Sequence, residues 1–407
     1  MSRKPLIPGP EALFHFWPFP RGPEGIRIPD VETPPIHPAD GEQTAPTATG
    51  RGQLSGDDSV DRQDGPDGWI VKEGPPGGED DSPDARLSEP EEKDEPALRP
   101  LARDRLLITG ITGGQGRLVA RRVGDLFEVV GVDRAPWEGH PGRIRVHVLD
   151  LRRRKLEDIF RKERPEAVVH LAFVRHFGGD PRVRHEVNVL GTKQLLEYCA
   201  TYGVRQLVVL SSAYVYGALP ENPYYMTEDS ALNVSRTYPE VRDLAEVDTL
   251  CSAFLWRYPE IKTTILRPVN TIGYSVHSTI GRYLQLDYVP TILGFNPMTQ
   301  FIHEDDVAEA IALALDVGTR GVFNVVGPGA VPLKVAIRES GGTPVPVPEP
   351  LARMAFGALF RFGLYPFPAG AIDFAKYACT VDGSRFRAAT GFRPLLTLRD
   401  IFASTRR

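Results

Sequence analysis

Three glycines constrain what this chain can fold into more than any other feature. Gly110, Gly113 and Gly116 stand between a short apolar run, Leu106-Leu107-Ile108, and a segment of helical spacing over 118–123. A strand that passes through glycines straight into a helix needs the first for a tight turn and the second so that a ligand can approach the backbone. The third lets the helix pack closely on the strand. The helix start then presents free amides, an anion site made of backbone alone. A second apolar run, 127–132, closes on Asp133, which lies 23 residues after Gly110. A carboxylate there can accept from a ribose 2′-hydroxyl and repels a 2′-phosphate, which favours NAD over NADP. Arg134 is the complication, since a guanidinium beside Asp133 could accept that phosphate.

Further apolar runs at 144–149, 167–171, 207–210 and 263–266 alternate with segments of helical spacing such as 190–200. Strands alternating with helices at this interval predict an α/β fold with a Rossmann-type doubly wound parallel sheet. Ligands of such a sheet bind at the carboxyl ends of its strands. Asp150, which follows the third strand, is placed to meet an adenine or to cap the helix after it. Beyond Pro268 the alternation weakens, so a smaller C-terminal substrate lobe is expected, mainly from about 268–300 and 340–380. The aromatic stretch 354–365 reads as a buried helix or a substrate lid, because Arg361 interrupts it and it is too short to span a bilayer.

Composition separates the first hundred residues from the rest. They hold 18 Pro and 12 Gly, with 10 Lys and Arg against 21 Asp and Glu; their balance of −11 leaves +6 for the remainder of a chain whose net charge is −5. So little apolar surface cannot offset chain entropy, and residues 1–103 read as a disordered acidic tail ahead of a nucleotide-binding domain over 104–407. Leu13, Phe14, Phe16, Trp17 and Phe19 form one apolar cluster inside it, which reads as a docking motif, a sticky but disordered segment, or a strand that lies against the folded part. Cys199, Cys251 and Cys379 are too few and too scattered for a disulfide framework or a zinc spacing, which points to a reducing, cytoplasmic setting with no metal. No apolar leader or membrane-spanning run occurs, and dispersed basic residues give no nucleic-acid footprint. A small molecule is the expected ligand.

The same residues, with others downstream, resemble the extended short-chain dehydrogenase/reductases, the NAD-dependent epimerase/dehydratase family. Its T-G-x-x-G-x-x-G pattern stands at Thr109 to Gly116, its H-x-A at His170-Leu171-Ala172, and its N-x-x-G-T at Asn188 to Thr192. Its S-S-x-x-V-Y-G is Ser211 to Gly217, its L-R-P is Leu266-Arg267-Pro268, and its F-I-H-x-D-D-V-A is Phe301 to Ala308. Within the family, the stretches 289–306 and 323–327 are similar to proteins described as UDP-glucose 4-epimerase-like. The resemblance implies that Gly110, Gly113, Gly114, Gln115, Gly116, Asp133, Arg134, Asp150, Leu151, Leu171, Ala172, Tyr238 and Arg242 surround the cofactor. It places Asn188 and Tyr214 against substrate. Arg267 and His303 are expected to serve as buried structural groups.

For the chemistry, the resemblance implies a tyrosine that accepts a hydroxyl proton, a serine partner and a lysine four residues after the tyrosine. A free phenol titrates near 10, so a cation is needed to favour its ionised form. Here the set is Ser212, Tyr238 and Arg242, with arginine where the family has lysine. Arginine keeps the charge but cannot pass a proton on. The family implies a nucleotide-sugar epimerase or dehydratase, working by transient hydride transfer and built as a homodimer. The alternatives are a carbonyl reductase or dehydrogenase of the same fold, and an NAD(P)-binding sensor or scaffold without turnover.

Overall fold

The computed structural model describes residues 104–174, 180–237, 241–362 and 369–405. The expected tail, its aromatic cluster and Tyr238 lie outside these residues. The first half runs β1 (Arg105–Thr109), α1 (Gly114–Val123), β2 (Glu128–Asp133), β3 (Arg145–Val148), α2 (Lys155–Glu163), β4 (Ala167–His170) and α3 (Pro181–His185). It continues through α4 (Gly191–Thr201), β5 (Gln206–Leu210), α5 (Val234–Thr237), α6 (Arg242–Arg257) and β6 (Lys262–Pro268). The second half has β7 (Asn270–Ile272), α7 (Thr279–Leu284), β8 (Tyr288–Ile292), β9 (Met298–His303), α8 (Glu304–Val317) and β10 (Gly321–Val325). β11 (Ala330–Pro332), α9 (Leu333–Glu339), β12 (Thr343–Val347), α10 (Glu349–Arg361), α11 (Ser384–Thr390) and α12 (Leu398–Ala403) complete the described elements.

Seven strands form one sheet in the order β10-β6-β5-β4-β1-β2-β3, every neighbour parallel. The order reverses between β1 and β4, so the crevice at the carboxyl ends of these strands is where a doubly wound sheet receives its ligand. Alternation along the strands builds the two layers. Leu106 and Ile108 of β1 pack with Val119 of α1 and Ile311 of α8 on one face. Leu107 turns to the other face, among Phe160 of α2, Leu195 of α4 and Phe254 of α6. Both faces are covered, which is why these strands read as continuous apolar runs.

Two small sheets lie beyond: β11-β9-β7, and β12 paired in parallel with β8. They have a core of their own, with Leu284, Val289, Phe301, Ile337 and Phe402 buried together. Among the described residues no helix is long and apolar enough to cross a membrane.

One polar chain crosses the main core. The Thr192 hydroxyl donates to the Asn188 carbonyl, which leaves its oxygen to accept from Nε2 of His170 at 2.8 Å. Nδ1 is then bare and accepts from the Thr109 hydroxyl at 2.7 Å. Burial pushes the His170 imidazole down to about 3, so it is neutral in the folded chain. The unfolded chain takes up this proton first, near about pH 6.5. The His170 contribution is therefore whole above that pH and is lost as pH falls toward about 3. From pH 7 to pH 5, urea unfolding should show a loss of about 2 kcal/mol attributable to this group. His170→Gln should be less stable at pH 7 and should lack that part of the slope; an unchanged slope would contradict the assignment.

Candidate active site

The glycine turn joins β1 to α1. Gly110 sits at φ +73°, and a Cβ there would come within 2.8 Å of the Leu171 and Ala172 backbone. A Cβ on Gly116 would meet the Gly110 carbonyl at 2.2 Å, so the first turn of α1 rests directly on the loop. Gly113 caps α1 with no side-chain bond, which leaves the amides of that turn to a ligand. The Gln115 side chain donates instead to the Glu304 carbonyl at 3.1 Å, turned toward α8. Over Gly114 lies Ser275, held there because the buried Glu304 carboxylate accepts from the amides of Ser275 at 3.0 Å and Val276 at 2.6 Å. Sequence reasoning gave Glu304 no role, since only the fold brings 275–276 across the turn.

Asp133 ends β2. One carboxylate oxygen accepts from the Thr112 amide at 3.0 Å and the other from the Arg134 amide at 2.7 Å. Each oxygen keeps acceptor capacity for a ribose hydroxyl, while the Arg134 side chain is exposed. Asp150 is bound by Arg152 at 2.7–3.2 Å, and this contact holds its carboxyl below the usual range. It does not cap the following helix, whose capping position is Arg154. Leu151 and Leu171 are buried and Ala172 is half-buried. An uncapped helix start, a turn that admits no side chain and a carboxylate at the end of β2 fit a dinucleotide.

Phe173 and Val174, directly after Ala172, open a cavity of about 480 Å³ at the carboxyl ends of β4, β5 and β6. Ser212 lines it, and also caps the short turn Ala213–Tyr216 by accepting from the Tyr214 amide at 3.2 Å. Its neighbour Ser211 also borders the cavity, but its hydroxyl is committed, donating to the buried Asp248 at 2.6 Å. Asp248 is fully buried and receives the Arg267 guanidinium in a forked contact, with Nε at 2.9 Å. Arg267 is held protonated against its own burial by this carboxylate, and reaches the Tyr216 hydroxyl at 2.8 Å. Arg267 is thus the structural anchor behind Ser212. His303 is buried and caps α8.

Tyr214 lines the cavity but donates its hydroxyl to Asn270 at 2.7 Å, and burial pushes the phenol upward, so it stays protonated. Asn188 also lines the cavity, with both ends of its amide bonded to the backbone of Val174 at 2.8 and 3.1 Å. Arg242 begins α6 with its side chain exposed, and the cavity receives Val241, Asp243, Leu244 and Val247 from that segment instead. The structure therefore brings Ser212, Tyr214 and Asn188 together and leaves Arg242 outside their lining. Tyr224 and Tyr225, other tyrosines near the signature in sequence, are exposed, meet edge to face and do not line the cavity. Asp243 gathers Arg184 at 3.2 Å and His185 at 3.5 Å. The ligand atoms of His185, Asp243 and Glu246 lie within 4.8 Å of one another, but the guanidinium of Arg184 already supplies a cation to Asp243.

The described part of the aromatic stretch, 354–362, is not a buried helix. In α10 only Ala352 is buried, because Phe356 turns to the cavity while Met354 and Phe362 face solvent. Ion pairs fix its start: Glu349 takes Lys376 at 2.8 Å and Arg353 at 2.9 Å, and Arg353 reaches Asp373 at 2.6 Å.

The fold and the glycine turn define a nucleotide-binding protein of the doubly wound class. Residues 106–326 match the model of the NAD dependent epimerase/dehydratase family, and the chain belongs to that family. An uncharacterised protein of Mycobacterium tuberculosis is 32% identical over 311 residues, covering 73% of this chain and 82% of its own length. A UDP-glucose 4-epimerase of Arabidopsis thaliana is 36% identical over 143 residues, 34% of this chain and 40% of the plant protein. In fold, the chain is similar to the UDP-glucose 4-epimerase of Thermus thermophilus in complex with NAD, with a TM-score of 0.60 at 24% identity. The match covers 74% of this chain and 97% of that one. MoeE5 in complex with UDP-glucose and NAD gives a TM-score of 0.57 at 25% identity over the same shares.

Proposed function

We propose that the chain is an NAD-dependent enzyme of the epimerase/dehydratase type, which moves a hydride between nicotinamide and a hydroxyl-bearing carbon held in the cavity. One observation carries this reading: the glycine turn packs on Leu171 and Ala172, and the next two residues open the cavity that Ser212 lines. NAD, when bound, supplies the hydride acceptor. Asp133 accepts from its ribose, the α1 amides hold its pyrophosphate, and Ser212 donates to the substrate oxygen. Tyr238 accepts the hydroxyl proton, with Arg242, four residues further on, as its cation. A nucleotide sugar is the substrate that kinship with UDP-glucose 4-epimerases supports; the lining of the cavity supports a less polar one.

Arg242 lowers the phenol's affinity for its proton only if it comes near Tyr238, and solvent screens an exposed guanidinium. That favours a second reading, NAD binding without turnover. Conversion of UDP-glucose to an epimerised or dehydrated sugar, together with formation of reduced cofactor from apolar secondary alcohols, separates the two. Under the first reading Tyr238→Phe lowers turnover about a hundredfold or more while NAD stays bound. Arg242→Lys keeps or raises turnover, and Arg242→Ala moves the rise of activity with pH to higher pH, since the phenol that loses its cation ionises later. A silent parent that gains turnover through Arg242→Lys would establish the second reading.

A further inference from the structure

We infer that the cavity takes an amphipathic secondary alcohol or its ketone, an apolar body bearing a single anionic group that pairs with Arg282. The inference rests on the hydride-transfer reading for its chemistry and on the cavity alone for its ligand class. Ile280, Ile292, Met298, Leu333, Phe356 and Phe374 present apolar side chains to the space. The polar groups among them are largely committed to one another. Tyr214 bonds Asn270, the Asn188 amide bonds Val174 at both ends, and Arg184 is neutralised by Asp243. Among the Arg and Asp side chains of the lining, Arg282 is the exception. It lines the cavity from α7, its Nε is buried without a hydrogen-bond partner, and it enters no ion pair among the described residues.

A nucleoside diphosphate brings two phosphates into the site, and each buried charge left without donors is costly. One guanidinium can meet one carboxylate or sulfonate through a forked contact. It leaves a second phosphate unmet, since the Arg184 guanidinium is already taken by Asp243. The helix that sends Phe356 into the cavity carries Leu351, Met354 and Phe362 on its solvent side, 51%, 68% and 74% exposed. An apolar molecule therefore meets apolar surface outside the cavity as well as within it. Oxidation of such an alcohol breaks one C–H and one O–H bond. The hydride passes to NAD, giving NADH, and the hydroxyl proton leaves through Tyr238, so that the ketone is the product.

Anilinonaphthalene sulfonate, an aromatic body with one sulfonate, is a suitable probe for the full chain in the presence of NAD. Its fluorescence should titrate to saturation, be displaced by dodecanoate and be unaffected by UDP-glucose. Arg282→Gln should weaken the probe about tenfold and Arg282→Lys only a few-fold. Ala375→Trp, which fills the cavity, should remove the saturable signal, with thermal melts confirming that each variant folds. Displacement of the probe by UDP-glucose would overturn the inference. So would probe affinity unchanged in both Arg282→Gln and Ala375→Trp, which would place the probe on the exposed face of α10. NAD titrated into the same samples keeps the two readings apart: a chain that binds the probe but not NAD loses the hydride-transfer reading and keeps the ligand class.

Discussion

Replacing Arg267 with leucine is expected to cost about 3–5 kcal/mol of folding stability, among the largest effects of any single substitution in the chain. The guanidinium is bonded on every side, to both oxygens of Asp248, to the Tyr216 hydroxyl and to the Glu228 carbonyl. Removing it leaves a carboxylate with no solvent exposure, supported among the described residues by the Ser211 hydroxyl. That carboxylate must then be protonated or hydrated, either of which disturbs the junction of β5, β6 and α6. Urea unfolding at neutral pH measures the loss. Arg267→Leu combined with Asp248→Leu should be less damaging than the sum of the two single changes, since it leaves no orphaned charge. A single-variant loss under about 1 kcal/mol would mean that the pair is more hydrated than its burial implies.

Gly110→Val should remove NAD binding. Two costs coincide there, a β-branched residue at φ +73° and a Cβ within 2.8 Å of backbone at the end of β4. Because the contact is with backbone, relief requires moving Leu171 and Ala172, which border both the cofactor turn and the cavity. Gly139→Ala is the control: it has a similar φ of +67° with nothing within 4 Å. It should lose only the backbone strain, about 1–2 kcal/mol, and keep its cofactor. Thermal melts beside the binding data separate an obstructed turn from an unfolded one.

These positions also mark how far a sequence alone can be read. β1, the glycines and α1 are contiguous, and each glycine answers a local steric demand, so the turn and Asp133 were legible from spacing. Arg267 and His303 were legible as buried groups from the signatures they belong to, though not with their partners. The cavity was hidden because its lining is drawn from residues between 173 and 379. Asp150 and Asn188 had the expected positions, but their hydrogen-bonding capacity is taken up by Arg152 and by the Val174 backbone. The helix after β12 misled for a different reason: apolar side chains on two opposite faces read as burial, when one face meets a cavity and the other meets solvent.

Titration calorimetry of NAD and NADP into the full chain tests the central claim most directly, namely that the turn at Gly110 and the carboxylate of Asp133 make an NAD site. The account predicts saturable binding of NAD, with NADP weaker by about tenfold or more because a 2′-phosphate meets the Asp133 carboxylate. Asp133→Ala should weaken NAD and narrow the gap between the two cofactors, since the ribose hydroxyl loses its acceptor. A folded protein that takes up no NAD, or one that binds NADP more tightly than NAD, would contradict it.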